Sequence, residues 1–151
     1  MAGDTWSATT GPYAPVFSIE TGEGKTINND NIRGKIAVIF YETKDATRQN
    51  AETKGKLDEM VGRQSDSIKR MIVRHATIMD FSHVLWPITE LWKNGLRDNS
   101  KRVGMMVFCD WTGNVSRNFQ MAYGQSNLVI IDQQAVIRYR FFGKIDSTGL
   151  K

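Results

Sequence analysis

Unbroken apolar runs alternate along this chain with segments in which apolar residues recur every three or four positions. The clearest run is IAVIFY, residues 36–41. A strand that is apolar at every position is one covered on both faces, so this run predicts a central strand. Beyond it, Leu57, Met60 and Val61 fall at helical spacing, which predicts a helix from residue 46 to about 61 with Gly62 as its stop. IKRMIVRHATIMD reads as a long strand that begins near Ile68 and ends at a carboxylate, Asp80. Pro87 stands where a first helical residue is tolerated, and Ile88, Leu91 and Trp92 of PITELWKNGL form one apolar face. VGMMVFCD predicts a third core strand, and NVSRNFQMAYG a short helix with Val115 and Phe119 inward and Gly124 at its end. Hairpins are expected around TGEG in VFSIETGEGKTIN and around QQA between LVIID and VIRYRFF. The expected sheet takes in residues 36–41, 70–79, 104–109, 127–132 and 136–142, with the last pair antiparallel and helices on both faces.

Composition narrows this picture more than it extends it. A chain of 151 residues is long enough for one core without staples, and the expected division is a flexible arm over residues 1–13 and a folded domain over 14–151. The net charge of +4 is mild and reads as a solvated surface, so no nucleic-acid partner is expected. A single cysteine, Cys109, excludes a disulfide within the chain and any zinc site built on paired cysteines. No stretch nears the ~18 apolar residues of a membrane span. The first fifteen residues lack the basic start and apolar middle of a signal peptide, which fits a cytosolic chain or a mature exported one with an added methionine.

Three stretches, in this order and spacing, carry a resemblance: RGKIAVIFY, MDFSHVLW and VFCDWTGNVSRNFQMAYGQSNLVIIDQQAVIRYRFFG. Together they resemble the thioredoxin-like superfamily, in particular its redoxin and peroxiredoxin (AhpC/TSA-type) branch, from about Ala14 to Ile145. The resemblance implies an α/β three-layer sandwich with a central mixed sheet, an N-terminal hairpin and a closing antiparallel hairpin. It also implies where chemistry would sit. The peroxidatic cysteine of that branch matches Asn50, three residues after the retained Thr47. The activating arginine matches Gln125 and the cis-proline matches Ser126, while KDAT stands where a thioredoxin has two cysteines separated by two residues. An amide cannot attack a peroxide, so the resemblance implies a redox-inactive binding or interaction domain. A second resemblance, to YtfJ-like exported proteins, covers the same core and implies a periplasmic location.

Candidate site residues gather where α/β folds bind ligands, beyond the carboxyl ends of the strands. The expected helix start near Ala46 would present backbone amides there, with Thr47 and Asn50 suited to a carbonyl or a small anion. Asp80, Trp111 and Gln125 are expected to converge on the same end, with Phe81 and Trp86 as an aromatic wall and Ser126 beside a groove for a peptide. The expected partner is a protein, a peptide or a small molecule, with no cofactor. The alternative is a thiol-dependent oxidoreductase or peroxidase using Cys109, although a cysteine inside a strand and next to Asp110 has the setting of a structural thiol. His75 and His83 with Asp80 offer a two-histidine, one-carboxylate set only across most of a strand and a turn, so no metal is expected. Ser82, His83 and Asp80 are loop neighbours that cannot aim at one another as a catalytic relay requires. Arg138 and Arg140 alternate with Tyr139 and Phe141, which predicts a charged solvent face with the aromatics opposite.

Overall fold

The computed structural model describes residues 12–21, 25–80, 82, 94, 95, 98 and 107–146. One seven-stranded mixed sheet organises them. In chain order its strands are β1 (Ser18–Thr21), β2 (Thr26–Asn28), β3 (Ile36–Glu42), β4 (Ile72–Asp80), β5 (Val107–Asp110), β6 (Asn127–Ile131) and β7 (Ile137–Phe142). Across the sheet they run β2-β1-β5-β4-β3-β6-β7. The apolar run 36–41 is thus interior, parallel to β4 on one side and antiparallel to β6 on the other. Both expected hairpins form, β1 with β2 and β6 with β7.

Because side chains alternate along a strand, β3 feeds two cores. Ala37, Ile39 and Tyr41 join Phe17, Ile19, Ile78 and Val129 in the larger one. It is covered by α1 (Asn29–Ile32) through Ile32 and by α4 (Asn114–Phe119) through Val115 and Phe119. Val38 and Phe40 face the other way, with Leu128 and Ile145, against Leu57 of α2 (Ala51–Gly62). That is a three-layer arrangement with helices on both faces. A bulge between Ile130 and Ile131 shifts the register of β6 against β7. Its consequence is that Ile137 packs into the larger core while Tyr139 and Phe141 pack on the smaller.

Several local expectations need correction. The helix after β3 does not begin at Ala46: a 3₁₀ turn covers Lys44–Ala46, and α2 starts at Ala51 with Asn50 before it. Its inward face is Thr53 and Leu57, and Met60 points to solvent at 54% exposure. Ile68 is not the start of a strand but part of α3 (Asp66–Met71), whose acidic first turn and Lys69 and Arg70 in its last turn suit the helix dipole. The short helix α4 ends at Gln120, in the left-handed region at φ 54°, ahead of Gly124. Arg138 and Arg140 do not form a free solvent face: Arg138 pairs with Asp132 at 2.5 Å, and Arg140 donates to the carbonyls of Phe119 and Gln120. The helix expected over PITELWKNGL lies outside the described residues apart from Asn94 and Gly95, as do the N-terminal arm up to Gly11, Phe81, His83 and Trp86. No helix among the described residues is long and apolar enough to cross a membrane.

Candidate functional site

The carboxyl end of the sheet carries two polar clusters, one on each side of β3. The first fills the turn between β3 and α2. Asn50 is 2% exposed, and its side chain does not cap α2 but reaches across to the segment that follows β7. Its Nδ2 donates to the Gly143 carbonyl at 2.8 Å and its Oδ1 accepts from the Ile145 N–H at 2.8 Å. Glu42, the last residue of β3, is fully buried, and one oxygen accepts from Lys54 Nζ at 2.6 Å while the other accepts from the Ser126 hydroxyl at 2.6 Å. Lys54 is 12 residues further on, on α2; it also donates to the Thr47 carbonyl and lies over the Phe40 ring. The Ser126 N–H donates to Gln49 Oε1, and Thr47 Oγ1 donates back to the Lys44 carbonyl. Gln125 is exposed, with its carbonyl taken by Asn127 Nδ2. Buried polar groups need partners, and here the partners come from β3, α2, β6 and the chain after β7. The turn is a closed junction.

The second cluster lies on the opposite face, where the parallel register sets Asp80 of β4 beside Asp110 of β5. Asp110 is 2% exposed and accepts from the Tyr41 hydroxyl at 2.9 Å and from the N–H groups of Asn114, Val115 and Ser116. A carboxylate in this position satisfies the orphan donors of the first turn of α4. Burial, followed by the negative charges of Asp110 and Asp80, pushes the Tyr41 phenol far above its ordinary value, so it stays a neutral donor. Gly113 opens α4 with φ 72°, and a Cβ there would come within 3.1 Å of the Ser82 Cβ and 3.2 Å of Arg117 Nη1. The glycine therefore lets the end of β4 and the start of α4 approach closely. Between them opens a cleft of about 490 Å³ lined by Asp80 and Ser82, by Thr112, Gly113, Ser116 and Arg117, and by Tyr123. Trp111 is half-buried next to this turn.

Of the residues singled out from sequence, Thr47, Asn50 and Ser126 share the closed junction, whereas Asp80 lines the cleft on the other face. Cys109 is 5% exposed in the interior of the sheet, between Met79 of β4 and Glu20 of β1. Among the described residues there is no group of three or more metal-ligating side chains. Glu42, Lys54, Gln49 and Arg117 were not foreseen. The signal for Glu42 was available, since it is a carboxylate ending an otherwise apolar run with a lysine 12 residues later.

No protein-family model matches the sequence, and neither does any curated protein. Solved structures do match. An uncharacterized conserved protein from Geobacillus kaustophilus superposes with a TM-score of 0.67 at 15% identity, over 97% of this chain and 74% of its own. A DsbF homologue from Corynebacterium diphtheriae gives 0.66 at 11% identity, over 97% and 87%. A thiol:disulfide interchange protein of the thioredoxin family from Chlorobium tepidum gives 0.61 at 14% identity, over 95% and 94%. The chain has a thioredoxin-like fold. Identities this low carry the fold and leave activity to be argued from the residues.

Proposed function

We propose that this chain is a redox-inactive thioredoxin-like binding domain whose ligand enters at the carboxyl end of the sheet. The observation that carries the reading is Asn50, a buried amide whose donor and acceptor both hold the chain's own backbone. The structural neighbours include proteins named for thiol:disulfide interchange, and that name implies a thiolate that can reach a partner. Here the one cysteine is buried in a strand. It has neither the exposure nor the helix start that activates a thiol. On this reading the junction around Asn50, Glu42 and Ser126 is structural, and binding falls to the cleft beside Asp80 and Arg117, where polar groups line an open volume.

The test is turnover. Peroxide consumption and disulfide reduction, each with a dithiol reductant, are measured for the protein and for Cys109→Ser. Equal rates at the level of the reductant alone are expected. Cysteine-dependent turnover at enzymatic rates would replace this reading with that of a thiol oxidoreductase or peroxidase working through Cys109.

A further inference from the structure

We infer that the cleft beside Asp80 and Arg117 takes a small zwitterion, with an ammonium group at one end and a carboxylate at the other, as in a free amino acid or a short unblocked peptide. The inference rests on the binding-domain reading and names the ligand class of that site.

Two opposite charges that share one cleft would ordinarily collapse onto each other, and here each is held by something else. Asp80 Oδ1 accepts from both the N–H and the hydroxyl of Ser82, at 3.0 and 2.6 Å. Among the described residues Oδ2 takes no donor, which leaves it for an ammonium. Arg117 Nη1 donates to the Thr112 carbonyl at 3.0 Å, and Nη2 donates to Asn114 Oδ1. Those contacts use two of the five N–H donors of a guanidinium and fix its plane, so the others remain for a carboxylate. Gly113 keeps the two charged groups close, since Ser82 on the Asp80 side and Nη1 on the Arg117 side both lie within 3.5 Å of the position its missing Cβ would take. The hydroxyls of Thr112 and Ser116 also line the cleft, and Tyr123, 66% exposed, offers a ring at its edge. A simple anion would meet Asp80, and a simple cation would meet Arg117; only a ligand carrying both charges satisfies both.

The experiment titrates the full chain, labelled with nitrogen-15, with pooled free L-amino acids and with alanyl-alanine, followed by the N-acetylated and the C-terminally amidated forms of whatever binds. Amide shifts centred on residues 80–82 and 112–117 are expected, with affinity falling at least about tenfold when either end is blocked, the loss of one charge-assisted contact. Asp80→Asn and Arg117→Gln are expected to weaken binding by a similar factor, and the blocked ligands keep the test decisive even if a variant folds poorly. The inference is overturned if no pool binds, if blocked and unblocked forms bind equally, or if neutral glucose shifts these residues while no amino acid does. Cysteine-dependent turnover is a separate failure, one that removes the binding-domain reading and is read in a different assay.

Discussion

Replacing Asn50 with alanine removes one side chain and leaves two buried backbone groups without partners, the Gly143 carbonyl and the Ile145 N–H. Each unsatisfied group costs about 1–3 kcal/mol, and the small void adds a fraction of that. Water reaching one group would reduce the sum, so a loss of roughly 3–4 kcal/mol is expected from a total of about 5–15 kcal/mol. In urea, with a slope of about 1.5–2 kcal/mol per molar, the midpoint falls by about 2 M with the slope unchanged. Asn50→Asp separates the two bonds. It keeps the acceptor for Ile145 but sets a carboxylate against the Gly143 oxygen, so the folded protein raises the carboxyl pKa above its unfolded value near ~3.9. By linkage, a raised folded pKa gives stability that is fully present below the unfolded pKa and lost as pH rises through the folded one. Asn50→Asp should therefore approach the parent protein in acid, where the protonated carboxyl can donate to Gly143, and fall away toward neutral pH. Asn50→Cys should be destabilised like the alanine variant and remain without peroxidase turnover. An Asn50→Ala midpoint within ~0.5 M of the parent, or an Asn50→Asp difference that is flat with pH, would refute the claim that this amide holds the closing segment.

Tyr41→Phe removes a buried donor from Asp110, which keeps its three backbone donors, so a loss of about 1–2 kcal/mol is expected in urea titration. Because the Tyr41 pKa is raised by folding, its contribution is intact below about pH 10 and declines above it, at up to ~1.4 kcal/mol per pH unit; the parent should lose stability more steeply in alkali than Tyr41→Phe, and parallel curves would count against the buried phenol. Lys54→Met leaves the Glu42 carboxylate buried beside Ser126 alone and should cost about 3 kcal/mol, whereas adding Glu42→Leu should recover a large part of it; strict additivity in that double-mutant cycle would argue against coupling. A thiol reagent should modify Cys109 only as the chain unfolds, with a rate that rises with urea, and rapid modification in native buffer would show the thiol to be accessible.

The fold was legible where one signal dominated. IAVIFY reads as a central strand because an unbroken apolar run must be covered on both faces, and β3 lies between β4 and β6 with a core on each of its faces. Val115 and Phe119 read as inward because four residues is close to a full helical turn, and both are buried. Errors came where signals compete. In SIKRM the apolar and basic residues fit a strand as well as a helix, and the deciding clue was the Ser65–Asp66 pair at the start, a helix-entry signature. The run from Glu42 to Asn50 held no apolar period at all, so it gave no way to tell a 3₁₀ turn followed by a helix from one longer helix. The two faces of Ile137 and Tyr139 depend on the extra residue Arg138 in β7, which has no partner on β6, and a bulge leaves no mark on a run such as VIRYRFF.

Position 50 is where the order of motifs was informative and the composition of the turn was not. The sequence could locate Asn50 at the junction of a central strand and a helix, but its hydrogen-bond partners lie 93 and 95 residues away. Glu42 and Ser126 are likewise separated by 84 residues. Read alone, the amide looked like a site for a ligand's carbonyl or a small anion; with its partners in place, the carbonyl is that of Gly143. Asparagine is the shortest side chain that carries one strong donor and one strong acceptor side by side. That pairing is what a carbonyl and an N–H two residues apart in the same chain require. A thiol is a weak donor and a weak acceptor and could not satisfy both. The same position thus cannot hold the closing segment in this way and also present a nucleophile, so on the proposed reading the absence of thiol chemistry and the anchoring of residues 143–145 are two consequences of one side chain.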